Sequence, residues 1–133
     1  MKKILVIFCF LPLTIISQSW NQVSNFISDG RHHPITFGND NYGFVISGSN
    51  LDDMYRYNKS NDTWLQLQNI PFTGRGYSYG VAVEDKAYMG FGSDISGYPV
   101  DWWEYDMNND TFSELAQFPG DGRQHPAMVV VND

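Results

Sequence analysis

NDTWLQLQNIPFTGRG, residues 61–76, is a stretch that this chain writes three times. Its landmarks are Asp62-Thr63-Trp64, then Leu67, Pro71 and Gly74-Arg75. Forty-eight positions on, the chain gives Asp110-Thr111-Phe112, Leu115, Pro119 and Gly122-Arg123. Forty-four positions back it gives Trp20, Val23 and Gly30-Arg31, with Ile27 in place of the proline. A period of 44–48 residues suits a unit of four short strands and exceeds the shorter units of helical solenoids.

Polar turns divide each unit. In the first, residues 34–37 are predicted as an innermost strand, 42–48 as a second and largely apolar strand, 53–58 as an alternating third, and 63–67 as the outer strand. Gly38-Asn39-Asp40-Asn41 and 59–62 are the turns, since Gly and Asn adopt positive φ at low cost. The second unit repeats the order at 77–83, 87–92, 101–107 and 111–115. Gly92 to Asp101 spans nine positions where Gly48 to Asp53 spans five, which accounts for the longer second period. Residues 20–27 align with 64–71 and are read as the outer strand of a preceding or closing sheet, while 127–131 begin a further inner strand. The resulting division is 1–19 leader, 20–30 outer strand, 31–73 and 74–121 full units, and 122–133 the start of another.

No segment after the leader has helical apolar spacing, so the chain is read as all-β. A lone four-stranded sheet leaves both faces uncovered, and ranging such sheets round an axis as propeller blades hides them. The chain spells two full blades plus two partial ones, an incomplete propeller. Closure takes at least about four blades, or roughly 180 residues at this period. Either the chain is the N-terminal part of a longer product with further blades in cis, or copies of it assemble.

Met1-Lys2-Lys3, the apolar run 4–16 and Ser17-Gln18-Ser19 have the form of a bacterial-type secretory signal peptide cleaved after Ser19. About 13 apolar residues fall short of the roughly 20 that span a bilayer, so no membrane span is expected after cleavage. The expected location is secreted, periplasmic or cell-envelope. Cleavage leaves six basic groups against 15 acidic ones, a net charge of −9, which argues against nucleic-acid binding. The single cysteine, Cys9, lies in the leader, so no internal disulfide is available afterwards.

The unit resembles the kelch repeat: an arginine, an apolar strand, aromatic-x-x-x-Gly, a polar loop, a Tyr closing the third strand, and Trp seven residues later. Arg31, Phe44, Gly48, Tyr57 and Trp64 carry it in one unit; Arg75, Tyr88, Gly92, Tyr105 and Phe112 carry it in the next, with Trp20 as the outlying copy of Trp64. The arginine-to-glycine distance is 17 in both. Two departures stand out: Ser47-Gly48 and Phe91-Gly92 replace the family's paired glycines, and Phe112 replaces the tryptophan. Physically, the tyrosines and Trp64 offer apolar area with a polar tip for a neighbouring loop. Each arginine can fan its donors onto carbonyls or a carboxylate of the adjoining blade.

The resemblance implies a ligand-binding face built from the arginines Arg31, Arg75 and Arg123 and the loop residues Ser49, Asn50, Ser93 and Asp94. His33, Tyr77 and His125 hold equivalent places at the starts of the inner strands, which line a central channel, and join this candidate set. His33 and His125 sit two blades apart with no third ligand, so no metal is expected, and no cofactor is implied. No catalytic residue is assigned, since Gly-x-Ser-x-Gly, paired-histidine and phosphate-loop motifs are all missing. The reading is a secreted, non-enzymatic module that binds a protein or glycan through its loop face. The alternative is the N-terminal blades of a sugar-active propeller enzyme, similar to sialic-acid epimerases or galactose oxidase. The copper chemistry of the latter needs a cysteine that the mature chain lacks.

Overall fold

The computed structural model describes residues 19–131, so the leader up to Gln18 lies outside it. Eight strands form two antiparallel four-stranded sheets, with no helix among the described residues. The first comprises β1 (Ile35–Gly38), β2 (Tyr42–Ile46), β3 (Met54–Asn58) and β4 (Thr63–Gln66); the second comprises β5 (Tyr79–Val83), β6 (Lys86–Gly90), β7 (Trp102–Asp106) and β8 (Thr111–Leu115). Each sheet runs in chain order from an inner to an outer strand, and the blades adjoin along β1 and β5.

Strand alternation decides what lies between the blades. Ladder pairing of Ile46 with Met54, and of Phe44 with Arg56, puts these side chains on one face of the first blade. Ala87, Met89 and Tyr105 of the second blade meet that face, and Met107, Ile70 and Phe72 complete the buried core. Phe44 packs edge-on to Tyr105 at 5.6 Å between ring centroids. Tyr55 and Trp64 alternate to the far side, where Phe26 meets both rings edge-on at 5.0 Å.

The tyrosine tips bond their own hairpins rather than a neighbouring loop. Tyr57 Oη donates to Asp62 at 2.8 Å and Tyr105 Oη to Asp110 at 2.6 Å, each closing the turn that its strand enters. Asp110 also accepts Arg56 Nη1 from the first blade at 3.2 Å, while its carbonyl takes Gln68 Nε2 at 2.8 Å. The outer edges of the two blades are thus tied by polar contacts while apolar ones fill the middle. Phe112, in the tryptophan's place, lies at a tilt against Tyr105 at 4.7 Å and meets Phe72 at 5.9 Å.

The paired-glycine position has a backbone reason. Gly48 and Gly92 have φ of +86° and +90°, and their N–H groups donate to the carbonyls of Arg75 and Arg123 in the following unit. A Cβ on Gly92 would stand 2.5 Å from the Gly76 carbonyl. Ser47 and Phe91, one residue earlier, also take positive φ, +56° and +61°, at a cost of about 1–3 kcal/mol each. Ser47 offsets it through Oγ, which accepts the Arg75 N–H at 2.7 Å and lies 2.8 Å from the Arg75 carbonyl.

Two expected strands do not form. Residues 20–27 find no ladder partner among the described residues, and Trp20 is fully solvent-exposed. The segment instead lies along the outer hairpin, where the Ser24 N–H donates to Asp62 at 2.8 Å and Trp64 Nε1 donates to the Ser24 carbonyl at 3.2 Å. Residues 127–131 are likewise without ladder bonds, with Val129 and Val131 exposed. Phe44→Ala is expected to cost about 3–5 kcal/mol in urea denaturation, because it empties the space between the blades. Thr36→Ala, at an exposed position of β1, is expected to change stability by under about 0.5 kcal/mol.

Candidate ligand-binding face

The strands reach the loop end of the blades through three arginines, and two of them are spoken for. The Arg75 side chain is 2 % exposed. Its Nη1 and Nη2 donate to the two carboxylate oxygens of Asp101 at 2.7 Å each, Nη1 also to the Phe91 carbonyl at 3.2 Å, and Nε to the Thr73 carbonyl at 3.2 Å. Arg31 repeats the pattern with both oxygens of Asp53, the Ser47 carbonyl at 3.1 Å and Ser28 Oγ at 2.9 Å. Both guanidinium groups lie over a phenylalanine, Phe26 at 5.1 Å and Phe72 at 4.5 Å. The carboxylate in each pair comes from the arginine's own blade, not from the adjoining one. Arg31 and Arg75 are therefore held in buried pairs, all of Arg75's nitrogens bonded and only Arg31 Nε buried without a partner, and neither presents a donor at the surface. Arg123 differs: it is exposed, lies over Phe118 at 5.1 Å, and bonds the Asp121 carbonyl.

The ring positions do come together. His33, Tyr77 and His125 all take left-handed φ (+52°, +59° and +49°), which throws their side chains off the strand line at the same corner of three successive units. Ring centroids lie 4.0 Å apart for His33 and Tyr77, 5.1 Å for Tyr77 and His125, and 5.4 Å for His33 and His125. The expectation that two blades would separate the histidines is corrected, because the corners that precede the inner strands converge where the strands crowd together. The backbone secures the contact, with the His125 N–H donating to the Tyr77 carbonyl at 3.0 Å.

Two further rings escaped the sequence reading. His32 Nδ1 lies 3.1 Å from His33 Nδ1, and Tyr79 Oη lies 3.1 Å from His125 Nδ1. A second histidine beside His33, and a tyrosine two residues after Tyr77, were the available signals. Together they form a cluster of three imidazoles and two phenols, of which His32, His33, Tyr79 and His125 are exposed. Such rings offer apolar faces for stacking and N–H, N and O–H tips for hydrogen bonds.

The loop residues flank this cluster and close on themselves. Ser49 Oγ accepts the His32 N–H at 3.2 Å, and Asn50 is exposed at φ +62°. Ser93 exchanges two backbone bonds with Gly76, at 2.8 and 2.9 Å. Asp94 Oδ1 accepts the N–H groups of Ser96 and Gly97 at 2.7 and 3.1 Å.

The chain is similar to two curated proteins. N-acetylneuraminate epimerase of Haemophilus influenzae strain PittEE is 30% identical over 98 residues, covering 67% of this chain and 26% of the relative. The N-acetylneuraminate epimerase of strain 86-028NP gives the same figures. The chain spans about a quarter of the length of these relatives. No protein-family model matches it.

The clamps make stability acid-sensitive. Burial works to raise the Asp101 carboxyl, but hydrogen bonds from Arg75 and Trp103 and the arginine's charge outweigh it and hold Asp101 below the ordinary carboxylate range. Burial and Arg31 act in the same opposed way on Asp53, which is also held low. Depressed carboxylates stabilise the fold above their unfolded pKa of about 3.9, and that contribution is lost as pH falls through the folded value. Urea midpoints are therefore expected to hold from pH 7 to about 5 and to drop below about 4. Asp101→Asn should lower the midpoint at pH 7 and flatten the acid limb.

Proposed function

We propose that this chain is part of a secreted, non-enzymatic propeller module of the kelch kind, which binds a protein or glycan through its loop face. The His33–Tyr77–His125 cluster, with His32 and Tyr79, is the contact surface. The observation that carries the reading is the equivalence of the three positions. Three successive units hold a ring at left-handed φ and bring those rings within 5.4 Å of one another, with most of them open to solvent. Core packing does not call for it, since these rings lie apart from the apolar cluster between the sheets. The leader-like residues 1–19 support secretion, and the acidic balance of the remainder favours a neutral or cationic ligand over a polyanion.

A second reading is favoured by the similarity to N-acetylneuraminate epimerases: the chain supplies blades of a sugar-active enzyme, and the imidazoles serve as proton carriers. Calorimetry against a panel of glycans and peptides, beside a test for anomeric exchange of N-acetylneuraminate, separates the two. Binding without turnover is expected. Tyr77→Ala and His33→Ala should each weaken binding about tenfold or more while leaving the unfolding free energy in urea within about 1 kcal/mol of the parent. Affinity unmoved by either change would remove the cluster from the site. Anomeric exchange abolished by His125→Ala would establish the enzyme reading instead.

A further inference from the structure

Two imidazoles at the margin of the ring cluster meet nitrogen to nitrogen. His32 Nδ1 lies 3.1 Å from His33 Nδ1, with the ring planes at 79°, and both residues are exposed. A neutral imidazole carries one N–H and one lone pair, so at that distance one Nδ1 donates to the other. The backbone beneath them is pinned. The His32 N–H donates to Ser49 Oγ at 3.2 Å, the His32 carbonyl accepts the Ser49 N–H at 3.1 Å, and His33 sits at φ +52°. The Tyr77 ring backs the pair, 4.0 Å from His33 and 6.0 Å from His32 between centroids. Among the described residues, neither histidine bonds a carboxylate.

That spacing is the span of two nitrogens on one ion. Imidazole nitrogens sit about 2.0–2.1 Å from a divalent transition metal, so two of them stand roughly 3.4 Å apart at a tetrahedral angle and roughly 2.9 Å apart at a right angle. The 3.1 Å between His32 and His33 falls inside this range. A small turn of each ring aims both Nδ1 lone pairs at a shared ion. The donating ring need only move its proton from Nδ1 to Nε2, which leaves its charge unchanged. The nitrogens that meet are thus not those of His33 and His125, whose separation in sequence argued against a metal, but those of His33 and its chain neighbour. No three His, Cys, Asp or Glu side chains converge among the described residues. The site is therefore one of two protein nitrogens, and the ion's other positions fall to water or to an incoming ligand.

We propose that His32 and His33 chelate a divalent late transition ion, copper(II) or nickel(II) ahead of zinc(II), at the margin of the ring face. Imidazole suits these ions, and nitrogen sites prefer copper among them, whereas magnesium and calcium demand oxygen ligands that the pair does not offer. The two nitrogens act as a unit. Once one holds the ion, the other stands beside it at high effective concentration, because Ser49 and the turn at His33 keep the rings together. The site does not rest on the glycan or peptide reading, since it needs neither the face of Tyr77 nor the ring of His125.

The test titrates the untagged full chain, its Cys9 thiol alkylated, with the chlorides of copper(II), nickel(II), zinc(II) and magnesium by calorimetry. Electron paramagnetic resonance of the copper form is recorded in parallel. Magnesium is expected to give no binding, and the copper spectrum to carry the splitting of two imidazole nitrogens. His32→Ala, and His33→Asn, which tolerates the left-handed backbone, should each weaken nickel binding about tenfold or more. His125→Ala should leave it within about threefold of the parent. Because the spacing belongs to the folded chain, saturating nickel should raise the urea midpoint of the parent and leave that of His32→Ala unmoved. The proposal is overturned if His32→Ala binds nickel as the parent does, or if His125→Ala weakens it as strongly. A copper spectrum with fewer than two nitrogens, or a urea midpoint of the parent that nickel does not move, would overturn it equally.

Discussion

The structure depends on a guanidinium held out of water. Stripping Arg75 of solvent is costly, and the cost is met by a bidentate carboxylate, two backbone carbonyls and a ring face. Those partners come from separate places: Thr73 and Phe72 from the exit segment, Phe91 from the end of the second strand, and Asp101 from the approach to the third. One side chain therefore joins the three chain segments that meet at the loop end of a blade. Arg31 does the same for its unit through Phe26, Ser28, Ser47 and Asp53. Because the pairs lie inside, they set geometry and present no donor at the surface.

With that corner fixed, the residue two positions after each arginine is fixed as well. His33 and Tyr77 follow the Arg31 and Arg75 clamps, while His125 is placed by the Gly92 bond to the Arg123 carbonyl and its own N–H on the Tyr77 carbonyl; the left-handed backbone at each is strain that these contacts sustain. The clamp is the same in kind at Arg31 and Arg75 while the ring beyond it changes from imidazole to phenol.

Much of this was legible in the residues. The strands were readable to within about two positions because Asn, Asp and Gly mark turns by their tolerance of positive φ, and Asp62 and Asp110 adopt it in the outer hairpins. That Arg31 and Arg75 are buried, while Arg123 is exposed, could not be read from the motif, because a motif position does not reveal burial. A usable signal was nonetheless present: Asp53 follows Arg31 by 22 residues and Asp101 follows Arg75 by 26, the same four-residue difference as the longer loop, which marks each pair as one unit's property. The convergence of His33 and His125 was not legible, since spacing along the chain measures distance round the blades and not distance between their inner corners. Residues 20–27 and 127–131 carry strand-like sequence, yet a ladder needs a partner strand, and local propensity cannot supply one.

The longer loop shows where such a scaffold can absorb change. Its four added residues fall between Gly92 and Asp101, yet Asp101 still meets Arg75 as Asp53 meets Arg31. The insertion is therefore pushed outward, where Asp94 pins its turn and Ile95 and Tyr98 stand exposed. Its base stays tied down: a Cβ on Gly122 would sit 1.9 Å from the Tyr98 carbonyl, just as one on Gly74 would sit 2.4 Å from the Leu51 carbonyl. Glycine at that place lets either loop, short or long, rest on the exit segment of its own blade. Length and side chains on the loop face can then vary without disturbing the buried pairs beneath, so this face is free to take on new contacts at little cost to the fold.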